Sequence, residues 1–487
     1  VAGIVGGGLF ILLALHPKAL VVVALIGITF SRTIEKVSGI DVLTYTDESL
    51  TLALVVVLIG GRLLRGKLPR ALPGGKSFAI FVVIGLVSSL FAGVGTSLML
   101  QGSFLAAKAL LIAWSIAQVD WNPSDLRRGC KIFAGVLVAM IAAGVVNLAI
   151  PQAWANLFQN LGYVDYRLGG LPSIISLTTH PLDLGGLMLF AAVAVAAYRS
   201  QVKKTAFNFW LLMGTIVTGV LTFRRAILGA MAATLGLEKI REKGIVAVVA
   251  GLLVVPIGVT LAWDAIATLA NSAYVDYIEN GDKAARTILT FDSLSVAAAH
   301  FPLGAGFARY GSFLAATNYS PEYVARGYQN IYGMGPVPNG RFLTDTQWPA
   351  IIGETGFLGA TFFVIGLLLV AKHLWNLRLS TEPMYRWVGI TGMGLVGAAA
   401  IMSPTSPVFT SSTFIAPVFG LIGIAASIKR PRPGLSETEL DVLETYEELA
   451  PQLQPGYQWK DRKRHQAKRT TALPAHYEKL AERRRDG

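Results

Sequence analysis

The chain is a succession of apolar runs, most of them longer than a soluble core helix can use. They fall at 1–15, 18–34, 49–65, 77–95, 98–119, 129–150, 181–199, 206–222, 224–240, 244–263, 347–371, 386–403 and 412–428. A helix that crosses a bilayer takes about 20 apolar residues, because backbone polar groups inside lipid must satisfy one another. The pattern predicts an all-α fold, a polytopic membrane helix bundle of about 12–13 spans with one long extracytoplasmic loop. Composition agrees: 53% of the residues are hydrophobic and 15% charged, against roughly 25% charged in an ordinary soluble domain. Disorder, collagen and coiled coil are thereby excluded, and the length of the apolar runs argues against a cytosolic enzyme. The first run lacks a basic flank and leads straight into the next, so no cleavable signal peptide is expected.

The runs divide the chain into N-terminal transmembrane helices at 1–263, a long loop at 264–346, C-terminal transmembrane helices at 347–428 and a charged tail at 429–487. The formal charge of +13, from 42 Lys+Arg against 29 Asp+Glu, would suggest nucleic acid for a soluble protein. Here it collects in alternate connections, as cytoplasmic loops do. Arg62 to Lys76, Arg127 to Lys131, Arg199 to Lys204, Lys239 to Lys243 and Lys372 to Arg386 are basic, and the connections at 31–48, 151–180, 264–346 and 404–411 are less so. That alternation puts the long loop outside and the tail inside, with no nucleic acid as partner. Arg224-Arg225 breaks it, standing on the predicted outer side. Arginine at a membrane boundary usually faces a cavity or a partner. In the tail, an acidic stretch from Glu437 to Glu448 precedes basic residues from Lys460 to Arg485. It suits either solvation or contact with anionic membrane lipids.

The chemistry-bearing residues gather on the predicted outer face. Tyr166-Arg167-Leu168-Gly169-Gly170 precedes His180-Pro181 at a helix mouth, and Arg224-Arg225 opens a helix. The long loop carries Arg286, then His300-Phe301-Pro302-Leu303-Gly304-Ala305-Gly306-Phe307 and Arg309. Asp345-Thr346-Gln347 leads into Gly353-Glu354-Thr355-Gly356-Phe357-Leu358-Gly359. Loop aromatics at Tyr310, Tyr319, Tyr323, Tyr328, Tyr332 and Trp348 suit either sugar stacking or anchoring at the membrane interface. The six histidines are scattered and Cys130 is the single cysteine, so neither a structural metal nor an intrachain disulfide is expected. Gly6-Gly7-Gly8 follows no strand and is not a phosphate loop.

The order of these motifs resembles the bacterial O-antigen ligase and O-antigen polymerase superfamily over roughly 165–371. The resemblance implies an inner-membrane glycosyltransferase that needs no metal or other cofactor. It would move a glycan from an undecaprenyl or related polyprenyl diphosphate to a glycan or lipid acceptor on the outer face. Arg225, followed by a small residue, matches the family's helix-start arginine better than Arg224 does, and Arg286 resembles the arginine early in its loop. Asp345-Thr346 stands where the ligases usually have histidine and asparagine. An acidic residue there is more similar to some exopolysaccharide polymerases.

The chemistry explains the residue types. Breaking the glycosidic bond builds negative charge on a departing diphosphate, so fixed positive charge should meet it. Arginine binds phosphate oxygens at two points and stays charged. Arg225, Arg286 and Arg224 are therefore the expected clamp. Arg167, His180, Arg309 and Glu354 are expected to bind substrate. Asp345 or His300 would take the acceptor hydroxyl's proton. Each has a plainer use: Asp345 suits an N-cap, His300 a turn, and the glycines close packing. A lipid-linked oligosaccharide flippase or other transporter is the alternative, although internal repeats and mid-membrane charges are not evident. A scaffold acting through its tail is a third.

Overall fold

The computed structural model describes residues 15–157, 164–167, 170–243 and 285–428. The predicted spans 1–15 (but for its last residue) and 244–263, the start of the long loop and the charged tail lie outside them. Among the described residues, five helices are long and apolar enough to cross a membrane: Asp41–Leu64, Thr96–Ile116, Pro123–Ala149, Pro181–Gln201 and Trp348–Leu377. Pro17–Thr29, Gly75–Phe91, Ala206–Val220 and Ser412–Ser427 are shorter apolar helices. Arg225–Lys243 and Pro383–Met402 join them in the bundle. A two-residue pairing of Tyr166–Arg167 with Leu171–Pro172 is the β-structure among these residues.

Local sequence sets the boundaries. Proline stands in the first turn of Pro17–Thr29, Pro123–Ala149, Pro181–Gln201 and Pro383–Met402, where its missing N–H costs nothing. Asn122 and Asp125 close a capping box on Pro123–Ala149, each satisfying an N–H that the first turn leaves free. The run 18–34 is not one span. Its helix stops at Thr29 and a second, Ser31–Ser38, begins. Arg32, Glu35 and Lys36 cannot continue a lipid-facing surface, and Gly39 ends the second helix at φ 64°.

Pro181–Gln201 is the centre of the bundle. Within its most apolar window 89% of residues are buried, against 28–44% for the other four membrane-length helices. Gly185, Gly186 and a run of alanines keep its surface low, so neighbours approach closely. The Phe414 ring lies against Gly186, where a Cβ would come within 2.3 Å of it, and Val193 lies against Gly394.

The connections gather at two ends. At one, Lys18 pairs with Asp125, Arg70 with Asp120 and Arg127 with Glu382. At the other, Thr33 Oγ donates to the Leu177 carbonyl, Ile174 N to Leu221 O and Gln347 N to Ser403 O. The segment 285–346 belongs to this second end and is not a bare loop. Helix Ala285–Ala299 packs on Trp348–Leu377. Short helices Phe313–Thr317 and Pro321–Ala325 enclose a small core of Tyr310, Tyr323 and Tyr328, each at most 1% exposed. These three rings therefore serve packing and are not surface platforms for sugars or membrane anchors. Tyr328 Oη donates to Asp292, and Tyr310 and Tyr328 hydroxyls share a hydrogen bond of 2.7 Å.

This cap is fixed to the bundle at a break in Trp348–Leu377. Gly356, at φ 66° and ψ −175°, interrupts the helix in a conformation that side chains resist. The carbonyls of Gly353 and Glu354 accept from Ala305 N at 2.8 Å and Gly306 N at 2.9 Å. Gly304 lies so close to Glu354 and Gly356 that a Cβ would come within 2.4 Å of backbone. On the other side, Ser88 Oγ donates to the Gly304 carbonyl and Phe307 N donates to Ser89 Oγ. The two glycine motifs, far apart in sequence, thus form one joint. Gly304→Ala should lower stability by about 1–3 kcal/mol through overpacking, read as the thermal midpoint in detergent. Gly397→Ala, with nothing within 4 Å of the added carbon, should leave that midpoint unchanged or slightly raised.

Candidate functional site

The site starts from an irregular segment. Residues 171–180 have no helix, yet Pro172 to Ser176 are buried. Non-helical backbone in such a place needs protein partners. The Asn147 side-chain oxygen accepts from Ile175 N at 2.7 Å and Ser176 N at 3.1 Å, and Trp154 donates to the Ser176 carbonyl. Ser176 Oγ donates to Met140 O, and Ser173 Oγ donates to Thr222 O. The segment is therefore tied to Pro123–Ala149 and to the turn after Ala206–Val220. That turn holds Phe223 at φ 51°, a strained setting for an aromatic residue. Arg224 and His180 are delivered side by side as a result.

Asp165 organises the guanidinium groups. Its Oδ1 meets Arg167 Nε at 2.9 Å and its Oδ2 meets Arg224 at 3.3 Å. Arg224 is half-buried, whereas Arg225, first in its helix, is exposed. The inward residue of the pair is thus Arg224, although Arg225 is the better sequence match. His180 caps Pro181–Gln201, with Nδ1 accepting from Leu182 N at 3.1 Å. That bond assigns the proton of the neutral ring to Nε2. Burial, then the charges of Arg224 and Arg32, push the imidazole down to about 4. The residue is nonetheless exposed to solvent. At neutral pH it offers an uncharged N–H donor. Arg32 was not singled out in the sequence. The polar break at Ser31–Ser38 inside an apolar run was the available signal.

The other expected residues fall into three further groups. Arg286 pairs with Asp345 at 2.9 Å, so the helix-start position is left to Gln347 and Asp345 is not its N-cap. Burial raises the Asp345 carboxyl from its ordinary value while Arg286 pulls the other way. His300 Nε2 meets Glu322 at 3.1 Å, and Glu322 meets Arg326 at 2.5 Å. Glu354 is buried and accepts from Arg309 N, Tyr310 N and Ser312 Oγ at 3.1, 3.3 and 2.5 Å. It therefore orders the cap backbone, a use the sequence did not separate from ligand binding. Arg309 donates to the Ala92 carbonyl at 3.1 Å, bracing the cap on the turn after Gly75–Phe91.

Beneath the His180 group runs an apolar cavity of about 240 Å³, lined among others by Phe30, Trp121, Asp125, Met140, Leu187 and Pro417. Its lining runs from Asp125 to Met140 along Pro123–Ala149, about 22 Å at 1.5 Å per residue. At its upper end Phe30 precedes Arg32, Met140 holds Ser176, and Leu187 lies two turns below His180.

Compared with models of known protein families the chain matches none, and compared with curated proteins it matches none.

Because His180 is held neutral when folded, the unfolded chain binds its proton first on acidification. Its contribution to stability is complete above about 6.5 and is lost as the pH falls towards about 4. His180→Gln should flatten the stability curve across that window, measured as thermal midpoint against pH. A curve unchanged by the substitution would mean that the ring is not held neutral.

Proposed function

We propose that this protein is an integral-membrane glycosyltransferase moving a glycan from a polyprenyl diphosphate to an acceptor hydroxyl on the outer face. The observation that carries this reading is a cluster of guanidinium groups about Asp165 and His180 near one end of a long apolar cavity. The two together match an amphipathic donor: a hydrocarbon chain below and a diphosphate above. Arg224, Arg167 and Arg32 supply positive charge where the leaving diphosphate gains negative charge. His180 Nε2–H adds a neutral donor that does not cancel that field. Asp345, raised towards neutrality by burial yet tethered to Arg286, is the candidate to receive the acceptor's proton. Direct attack of the acceptor oxygen on the anomeric carbon inverts it, and the diphosphate leaves with the bonding pair.

Sidedness belongs to the same proposal. The end with Lys18, Arg70 and Arg127 is cytoplasmic and the His180 end extracytoplasmic, following the basic residues. Repeat-unit polymerisation is preferred over ligation because Asp345 is acidic. A flippase or other transporter is the second reading, favoured by a lysine buried within a membrane-length helix, Lys108 at 4% exposure.

Purified protein reconstituted with a lipid diphosphate-linked glycan separates the two. Wild type should elongate or transfer the glycan, with Arg224→Ala slower by about 100-fold or more. Arg224→Lys should also lose rate because two-point phosphate binding is lost. Arg225→Ala should stay close to wild type. Full transfer by folded Arg224→Ala would remove the clamp, and lipid translocation without transfer would favour the second reading. In a Cys130→Ser background, Tyr166→Cys should react with an impermeant thiol reagent added outside intact cells. Protection there would reverse the orientation.

A further inference from the structure

Pro17–Thr29 and Pro123–Ala149 form two walls of the apolar cavity, yet among the described residues they share no packed face. Pro17–Thr29 packs on Asp41–Leu64 and Ser412–Ser427, and Pro123–Ala149 on Ala206–Val220 and Pro383–Met402. Ties stand near both ends. At the lower one Lys18 Nζ meets Asp125 at 2.5 Å. At the upper one Thr33 Oγ donates to Leu177 O, and Met140 O accepts from Ser176 in the same segment. Between these ties lies a slit. Ile26 on one helix, and Ile132 and Phe133 on the other, line the cavity and are also 38%, 47% and 38% exposed. They mark its mouth. Behind it, Leu187, Phe190, Ala191 and Ala194 form a back wall that is buried.

A mouth between two membrane helices admits what a bilayer holds at that depth, which is hydrocarbon. Protein interiors pack closely and leave few voids larger than a water molecule, so a cavity of about 240 Å³ open to lipid is filled from it. Charge decides which lipid. Lys18 and Arg127 are held by Asp125 and Glu382. Arg128 and Lys131 are exposed, and neither makes a salt bridge among the described residues. Arg128 stands one helical turn below Ile132, with Lys131 beside it. Two positive charges therefore lie at the foot of the mouth, where basic residues beside a membrane helix attract anionic headgroups.

We propose that the cavity binds one acyl chain of an anionic phospholipid, which enters between Pro17–Thr29 and Pro123–Ala149 with its phosphate on Arg128 and Lys131. The site stands on the cavity and not on the transfer reading; where both hold, the phospholipid is the occupant that a polyprenyl donor displaces.

The test reconstitutes the full-length protein in phosphatidylcholine vesicles with a trace of phosphatidylglycerol that carries a diazirine at one chain end. After illumination, adducts are mapped by peptide mass spectrometry. Adducts on 187–194 report entry, because that wall does not face the bilayer. Gly129 lines the cavity and Gly135 does not, and a Cβ added to either meets nothing within 4 Å. Wild type and Gly135→Phe should therefore carry the adducts, and Gly129→Phe should lose them. A phosphatidylcholine probe should label the wall far less. Arg128→Gln combined with Lys131→Gln should lower labelling by phosphatidylglycerol about tenfold or more. No adducts on that wall in wild type, full labelling of Gly129→Phe, or equal labelling by the two probes overturns the site. Excess undecaprenyl diphosphate should clear the wall under the transfer reading. Adducts that it leaves in place count against that reading and support the phospholipid site.

Discussion

A backbone N–H or carbonyl left unpaired in a bilayer-embedded bundle costs several kcal/mol, and this constraint governs both irregular segments at the end that carries His180. Residues 171–180 leave helical geometry only where Asn147, Trp154 and Met140 supply partners. The Gly356 break is permitted because Ala305 and Gly306 present N–H groups to the carbonyls beside it. Both segments therefore reach their positions by being satisfied from neighbouring elements. His180, Arg224 and Arg309 inherit their positions from that satisfaction.

The helices were legible in the sequence because length and apolarity are local properties. The run 181–199 became Pro181–Gln201, and 129–150 became the longer Pro123–Ala149 once Asn122 and Asp125 are read as a capping box. The break at Phe30 was less legible, since a single average over 18–34 hides Arg32. The folded cap was hidden for a different reason. Its core of Tyr310, Tyr323 and Tyr328 has no periodicity, and its attachment joins residues whose separation only the tertiary fold closes.

The candidate residues show the same division. Chemistry-bearing types were visible from the sequence, but their pairings were not. Glu354 looked like a ligand contact and is a collector of backbone N–H groups. Asp345, expected to take the acceptor's proton and with a helix cap as its plainer use, is the partner of Arg286 and not the cap. Asp165 and Lys108 attracted no notice, though each gathers charge that the fold would otherwise strand. A lone lysine within the apolar run 98–119 was the signal available for the second, because a cation there must find an anion on another helix.

The placement of charge follows one rule across the chain. Guanidinium groups near the surface, such as Arg167 and Arg224, share the carboxylate of Asp165. Lys108 lies deeper, where water cannot screen it, and there the carboxylates of Asp47 and Glu48 crowd a single ammonium.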